Sequence, residues 1–182
     1  MARRSALTLA ALLLAVPAAA HAQSDTISVR GSAKEFGRVL SIGDFKPERN
    51  PRYAAAVRAF GEPGSERSRS GGNACIVNWP RVGVRIVFAN FGLGSACDRD
   101  LGRSQSARAY GDGWRTKKGL RVGARLRRLR RLYPRASRHR RNWWLATGVS
   151  LIGPRRRYPV LAATVRDGRV RSFRLWIGAA GD

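Results

Sequence analysis

The chain has 182 residues, enough for one ordinary domain and too few for two full ones. Hydrophobic residues make up 43%, which excludes a chain disordered by composition, and 36 Lys and Arg against 11 Asp and Glu leave a formal charge of +25. Such a charge repels itself and attracts polyanions. Only four of the basic residues are Lys, a bias that a GC-rich genome also produces.

Met1–Ala22 reads as an export signal. Arg3 and Arg4 form a positive start, and Leu7–Val16 is an apolar run too short to span a bilayer. Pro17 breaks that run, and Ala20-His21-Ala22 supplies the small side chains of a cleavage site between Ala22 and Gln23. No Cys follows that site, so a lipid-anchored protein is not expected. No later stretch has an unbroken apolar run of about 18 residues, so no further membrane span is expected. The mature chain is expected to be secreted or associated with the cell envelope. Its two cysteines, Cys75 and Cys97, then read as one disulfide.

Gln23–Gly31 is polar with a few β-branched residues, a frayed end or a short strand, and Phe36–Ile42 reads as a strand ending at Gly43-Asp44. Asn50 can cap a first helix with Pro51 at its first position. Tyr53, Ala56, Val57 and Phe60 then form one apolar face, and Gly61 and Pro63 stop the helix. Glu62–Gly72 reads as a polar linker. Ala74–Trp79 and Gly83–Phe91 read as strands joined at Pro80-Arg81, with the alternation of a sheet buried on one face. Gly92–Gly102 is a loop, and its Asp98 and Asp100 lack the rest of a calcium loop.

Ala107–Tyr110 is a short strand, and a second helix runs from about Ala124 to Tyr133. Its Leu126, Leu129 and Tyr133 share a face with Val122, while Arg127, Arg128 and Arg131 point away. Arginine stems can cover apolar surface while the heads stay wet, so this helix fits the surface of a sheet. Arg135–Arg141 reads as a basic loop, Trp143–Ile152 as a strand, and Gly153–Tyr158 as a basic turn. Val160–Val165 and Val170–Ile177 form a hairpin about Asp167-Gly168.

Sliding the chain along itself lays Tyr53, Ala56 and Phe60 on Leu126, Leu129 and Tyr133. Each helix follows an apolar-Gly pair, Ile42-Gly43 or Val122-Gly123, and precedes aromatic-rich strands. The expectation is a tandem helix-then-sheet repeat, about 36–97 and 107–178, within a single α+β domain spanning 23–182. Two short helices would cover one face of an antiparallel sheet of about six to eight strands. An apolar-Gly pair leading to a helix that closes in Gly61-Glu62-Pro63 or Tyr133-Pro134 resembles the repeat of β-lactamase inhibitor protein and of small outer-membrane assembly lipoproteins. That resemblance implies an exported, non-catalytic module used for protein contacts.

No paired carboxylates, zinc-ligand spacing, nucleophile elbow or phosphate loop stands out, and no cofactor is expected. Between Gly113 and Arg166 the chain has no acidic side chain, while basic ones recur throughout. Within that stretch, Lys117, Lys118, Arg127, Arg128, Arg131, Arg138, Arg140 and Arg141 are candidates for contacting an anionic polymer, anionic lipid or nucleic acid. The expected partner is therefore a protein or, alternatively, such a polyanion engaged through residues 115–141.

Overall fold

The computed structural model describes residues 25–30, 39–149 and 157–177. Two helices and two sheets make up its regular structure. The smaller sheet joins β1 (Thr26–Arg30) to β2 (Val39–Ile42) antiparallel and to β7 (Arg115–Thr116) parallel. The larger sheet has eight strands. Its first four are β3 (Ser65–Arg69), β4 (Ala74–Trp79), β5 (Val84–Ala89) and β6 (Arg103–Ala109). Its last four are β8 (Ser137–His139), β9 (Asn142–Val149), β10 (Arg157–Arg166) and β11 (Arg169–Trp176). The spatial order is β3-β4-β5-β6-β11-β10-β9-β8, antiparallel throughout. Each run of four is thus a meander, and the two meanders meet along their last strands. Helix α1 (Tyr53–Phe60) precedes the first run, and α2 (Leu126–Leu132) precedes the second.

One face of the large sheet carries the core. Cys75, Val77 and Trp79 of β4 pair with Phe88, Ile86 and Val84 of β5, and all six are buried. Ala107 and Ala109 of β6 face Leu175 and Phe173 of β11, which in turn face Leu161 and Ala163 of β10. The α1 residues Tyr53 and Phe60 lay their rings on this face, 4.9 Å from Phe88 and 5.5 Å from Trp79 between ring centroids. On the α2 side, Leu129 is fully buried and the Arg130 guanidinium lies over the Trp143 ring, 5.3 Å from its centre. The small sheet closes the α1 end, where Phe45 meets Phe60 edge-on.

The helix starts depart from the expected capping. Asn50 does not cap α1; the N-cap is Arg52, and Asn50 instead accepts a hydrogen bond from the Arg52 N–H. Neither Arg52 nor Arg125, the N-cap of α2, makes a side-chain cap. Backbone from the sheet does that work. The Tyr53 N–H donates to the Gly102 carbonyl and the Ser104 N–H to the Pro51 carbonyl, at 2.9 and 2.8 Å. At α2 the Leu126 N–H donates to the Gly168 carbonyl and the Val170 N–H to the Ala124 carbonyl, at 2.8 and 2.9 Å. Helices of eight and seven residues are marginal alone, and the first bond of each pair satisfies an N–H group that a helix start leaves open.

Two segments read as irregular are strands, and the described end of a third, the basic turn Gly153–Tyr158, is the start of β10 at Arg157. Glu62–Gly72 contains β3 and a 3-10 turn, Ser70–Gly72, rather than a linker. Arg135–Arg141 contains β8. Both are outermost strands with every residue exposed, so no apolar alternation marks them; polar, charged edges also discourage edge-to-edge aggregation. Strand β6 is likewise longer than expected, because Arg103–Ser106 is polar and joins through register rather than hydrophobicity. The hairpin at Asp167-Gly168 has positive φ at both residues, 53° and 67°, as a tight two-residue turn needs. The expected segments 31–38 and 150–156 lie outside the described residues.

Gly102 has no room for a side chain, since a Cβ there would meet the Ala96 carbonyl oxygen. Gly102→Ala should therefore cost about 2 kcal/mol in urea unfolding, as it pushes apart the loop and the anchor of α1. Gly119→Ala, at φ 78° with open space around it, should cost about 1 kcal/mol from backbone strain alone. The buried Tyr53 hydroxyl donates to Glu66 Oε2 at 2.7 Å, and burial first, then this carboxylate, raise its pKa well above the ordinary tyrosine value. The unfolded phenol ionises near pH ~10, so this stabilisation is complete below that pH and is lost as pH rises toward the folded value. Thermal melts should show a steep alkaline loss that Tyr53→Phe makes shallower.

Candidate functional site

Cys75 and Cys97 are bonded to one another, with 5.1 Å between their Cα atoms. The bond pins the loop after β5 to the buried start of β4. Asn90 organises the same loop from within: its amide donates to the Leu93 and Gly94 carbonyls, and its side-chain oxygen accepts from the Gly92 N–H. The Asp98 carboxylate accepts from the Asp100 and Leu101 N–H groups, so the Asp-x-Asp pattern builds a turn. The loop displays Phe91, Leu93 and Leu101 at 77%, 97% and 41% exposure. Among the described residues these are the exposed large hydrophobic side chains, and all three sit in this one braced loop.

The basic candidates fall on three pieces of structure. Arg127, Arg128 and Arg131 project from α2 into solvent. Arg138 lies on β8, while Arg140 and Arg141 occupy the turn to β9, where Arg140 adopts a positive φ of 56°. Lys117 and Lys118 follow β7. Lys118 stands 5.0 Å from the centre of the Tyr133 ring, and with Arg135, Ala136 and Leu145 it borders an open groove at the end of α2. All eight candidates are exposed, and among the described residues none joins a salt bridge. The ion pairs there are Arg52–Asp100, Arg99–Glu62, Arg166–Asp167 and Arg171–Asp167. The cleavage-site residues Ala22 and Gln23 lie outside the described residues.

Sequence reading missed a third feature, on the sheet face opposite the helices. Arg85 of β5, Arg108 of β6 and Arg174 of β11 are direct cross-strand neighbours. Burial lowers the pKa of Arg108, and its two arginine neighbours push in the same direction. Nothing local marks these three, because they lie far apart along the chain and only strand pairing aligns them. The exposed loop hydrophobics had a local signal, large apolar residues in a Gly/Ser/Asp-rich stretch beside a cysteine. Elsewhere, His139 stacks on Trp144 at 3.6 Å and meets the Ser137 hydroxyl at 3.1 Å. Among the described residues, no group of three His, Cys, Asp or Glu side chains is placed to hold a metal, and no helix is long and apolar enough to cross a membrane. Comparison with protein-family models, characterised proteins and solved structures found no match.

The disulfide closes a 22-residue separation. Replacing both cysteines by Ser should cost roughly 3 kcal/mol of stability, measured by denaturant titration. Amide exchange in residues 90–101 should quicken well before that in β5, because the lost tie constrains the loop first.

Proposed function

We propose that this protein is an exported, non-catalytic binding module of the envelope or extracellular space that contacts a protein partner through the loop Asn90–Gly102. The observation that carries this reading is the gathering of Phe91, Leu93 and Leu101 on one loop held from outside by Cys75–Cys97 and from inside by Asn90. Exposed apolar side chains are costly to hydrate, and a pre-ordered loop loses little entropy on docking. The disulfide suits an oxidising compartment, in line with export directed by residues 1–22.

The domain is read as a duplication. In support, each helix precedes a four-strand meander, and each is tied at its start by the same pair of backbone bonds to the entry of the last strand. The N-cap backbone angles agree to within a degree, φ −67° and ψ 149° at Arg52 against −66° and 148° at Arg125. This arrangement fits the resemblance to the β-lactamase inhibitor protein repeat.

A second reading rests on the basic segment. Its eight exposed, unpaired candidates offer an electrostatic contact for a polyanion.

A photo-crosslinking side chain at Leu93, in cells exporting the protein, tests the first reading. It should yield an adduct of one discrete mass, insensitive to salt, that the same group at Arg128 does not yield. Absence of that adduct overturns the loop reading. The second reading takes first place if the mature protein binds an anionic polymer or anionic vesicles with a log-linear salt dependence, and if neutralising Arg127, Arg128 and Arg131 flattens the slope by about three.

A further inference from the structure

The sheet face away from the helices carries two rows of side chains that run across the strands. The register places Ser65, Asn78, Arg85, Arg108, Arg174, Ala162, Trp144 and Ser137 in one row, from β3 to β8. Two residues further along, Arg67, Ile76, Val87, Ser106 and Trp176 form the next. Ile76, Val87, Ser106 and Trp176 are half-buried and Ala162, between Arg174 and Trp144, is fully buried, as Val77, Ile86 and Phe88 are on the helix side. Among the described residues no helix packs over these rows.

Like charges directly opposite one another destabilise a sheet, and three guanidinium groups abreast do so twice. No carboxylate among the described residues pairs with any of them. Neutral groups hold them in place instead. Arg85 Nε donates to Asn78 Oδ1 at 2.5 Å, Arg108 Nε donates to the fully buried Ser172 Oγ at 3.0 Å, and Arg174 lies 5.5 Å over the Trp176 ring. Each of the first two is therefore fixed through its inner nitrogen, and its outer fork keeps the geometry that takes a carboxylate with two bonds.

We infer that the Arg85–Arg108–Arg174 row is a binding site for an amphipathic helix of a partner protein that carries an acidic stripe beside an apolar one. Spacing selects the helix. Neighbouring strands lie about 4.8 Å apart, so the three arginine stems rise near 0, 4.8 and 9.6 Å, and the bonds of Arg85 to Asn78 on β4 and of Arg108 to Ser172 on β11 lean the first two apart. Acids at i, i+4 and i+7 of a helix fall near 0, 6.0 and 10.5 Å along its axis, about 1 Å off at each point. Acids at alternate positions of an extended chain fall near 0, 6.7 and 13.4 Å, about 4 Å off at the third. The second row selects against a uniformly charged polymer. Charges laid on Ile76, Val87 and Trp176 would lose water and gain no partner, whereas an apolar stripe buries them. This site is separate from the disulfide-braced loop.

The test uses the mature protein and a synthetic helical peptide of about five turns with Glu at i, i+4 and i+7 beside a Leu stripe. Its controls are the same peptide with Gln for Glu, and inorganic polyphosphate. At about 150 mM salt, where loose charge attraction is screened, Arg108→Gln should weaken peptide binding about tenfold or more, and the Gln peptide should lose as much. Neutralising Arg127, Arg128 and Arg131 should leave binding within about twofold, the range of long-range screening. Arg174→Gln, which removes repulsion while leaving the Arg108–Ser172 bond in place, should also melt at or above the parental temperature. The inference is overturned if Arg108→Gln binds the peptide like the parent, if polyphosphate occupies the row as tightly as the peptide does, or if Arg174→Gln lowers the melting temperature. A Leu93 crosslink that persists in Arg108→Gln would leave the loop reading intact through any of those results.

Discussion

The seam between β6 and β11 is the constraint on which the rest of the structure depends. Four cross-strand pairs join the meanders there, Phe173 to Ala109, Arg174 to Arg108, Leu175 to Ala107 and Trp176 to Ser106. On the core side two large residues face two alanines, so bulk from β11 fills the space that β6 leaves. Burying Phe173 and Leu175 contributes about 2 kcal/mol each. The pairing also removes one exposed edge from each meander, and among the described residues the short, polar β3 and β8 are the edges of the large sheet. The same register sets the opposite face, because side chains alternate along a strand. A slip of one residue would break the core and scatter the arginine row together.

Both helices depend on that sheet. Neither has a capping side chain, and α2 carries four arginines in seven residues with no acid to offset them. What holds them is the pair of backbone bonds from each helix start to the entry of β6 or β11, plus aromatic or leucine contacts on the inner face. Arginine fits such a position because its guanidinium can lie on an aromatic face at the surface, as that of Arg130 does on Trp143. The charge of α2 is therefore compatible with a plain structural role. The row on the open face is different, since it places three like charges together where alternatives without repulsion exist.

The described residues thus separate three surfaces by physical character. The loop Asn90–Gly102 is braced and displays apolar side chains, the α2–β8 end is basic and outside the ion pairs, and the open sheet face sets three arginines beside Ile76, Val87 and Trp176. Each surface favours a different contact. Apolar burial tolerates salt, phosphate-type contacts weaken with it, and a fixed guanidinium row adds geometric selection to charge.

Sequence alone determined the elements whose evidence is local. The strand Ala74–Trp79 alternates cleanly, Asp167-Gly168 can adopt positive φ at both positions, Gly61 ends α1, and the exported reading pairs Cys75 with Cys97. The helix-plus-antiparallel-sheet class followed from those pieces. Tertiary structure alone decided the rest. It recruited the polar β3 and β8, supplied helix caps from distant carbonyls, and joined β6 to β11. Pairing partners far apart in the chain are chosen by the summed burial of a whole face, and no single window contains that sum. For the same reason Arg85, Arg108 and Arg174 look like three ordinary surface arginines until the sheet sets them side by side.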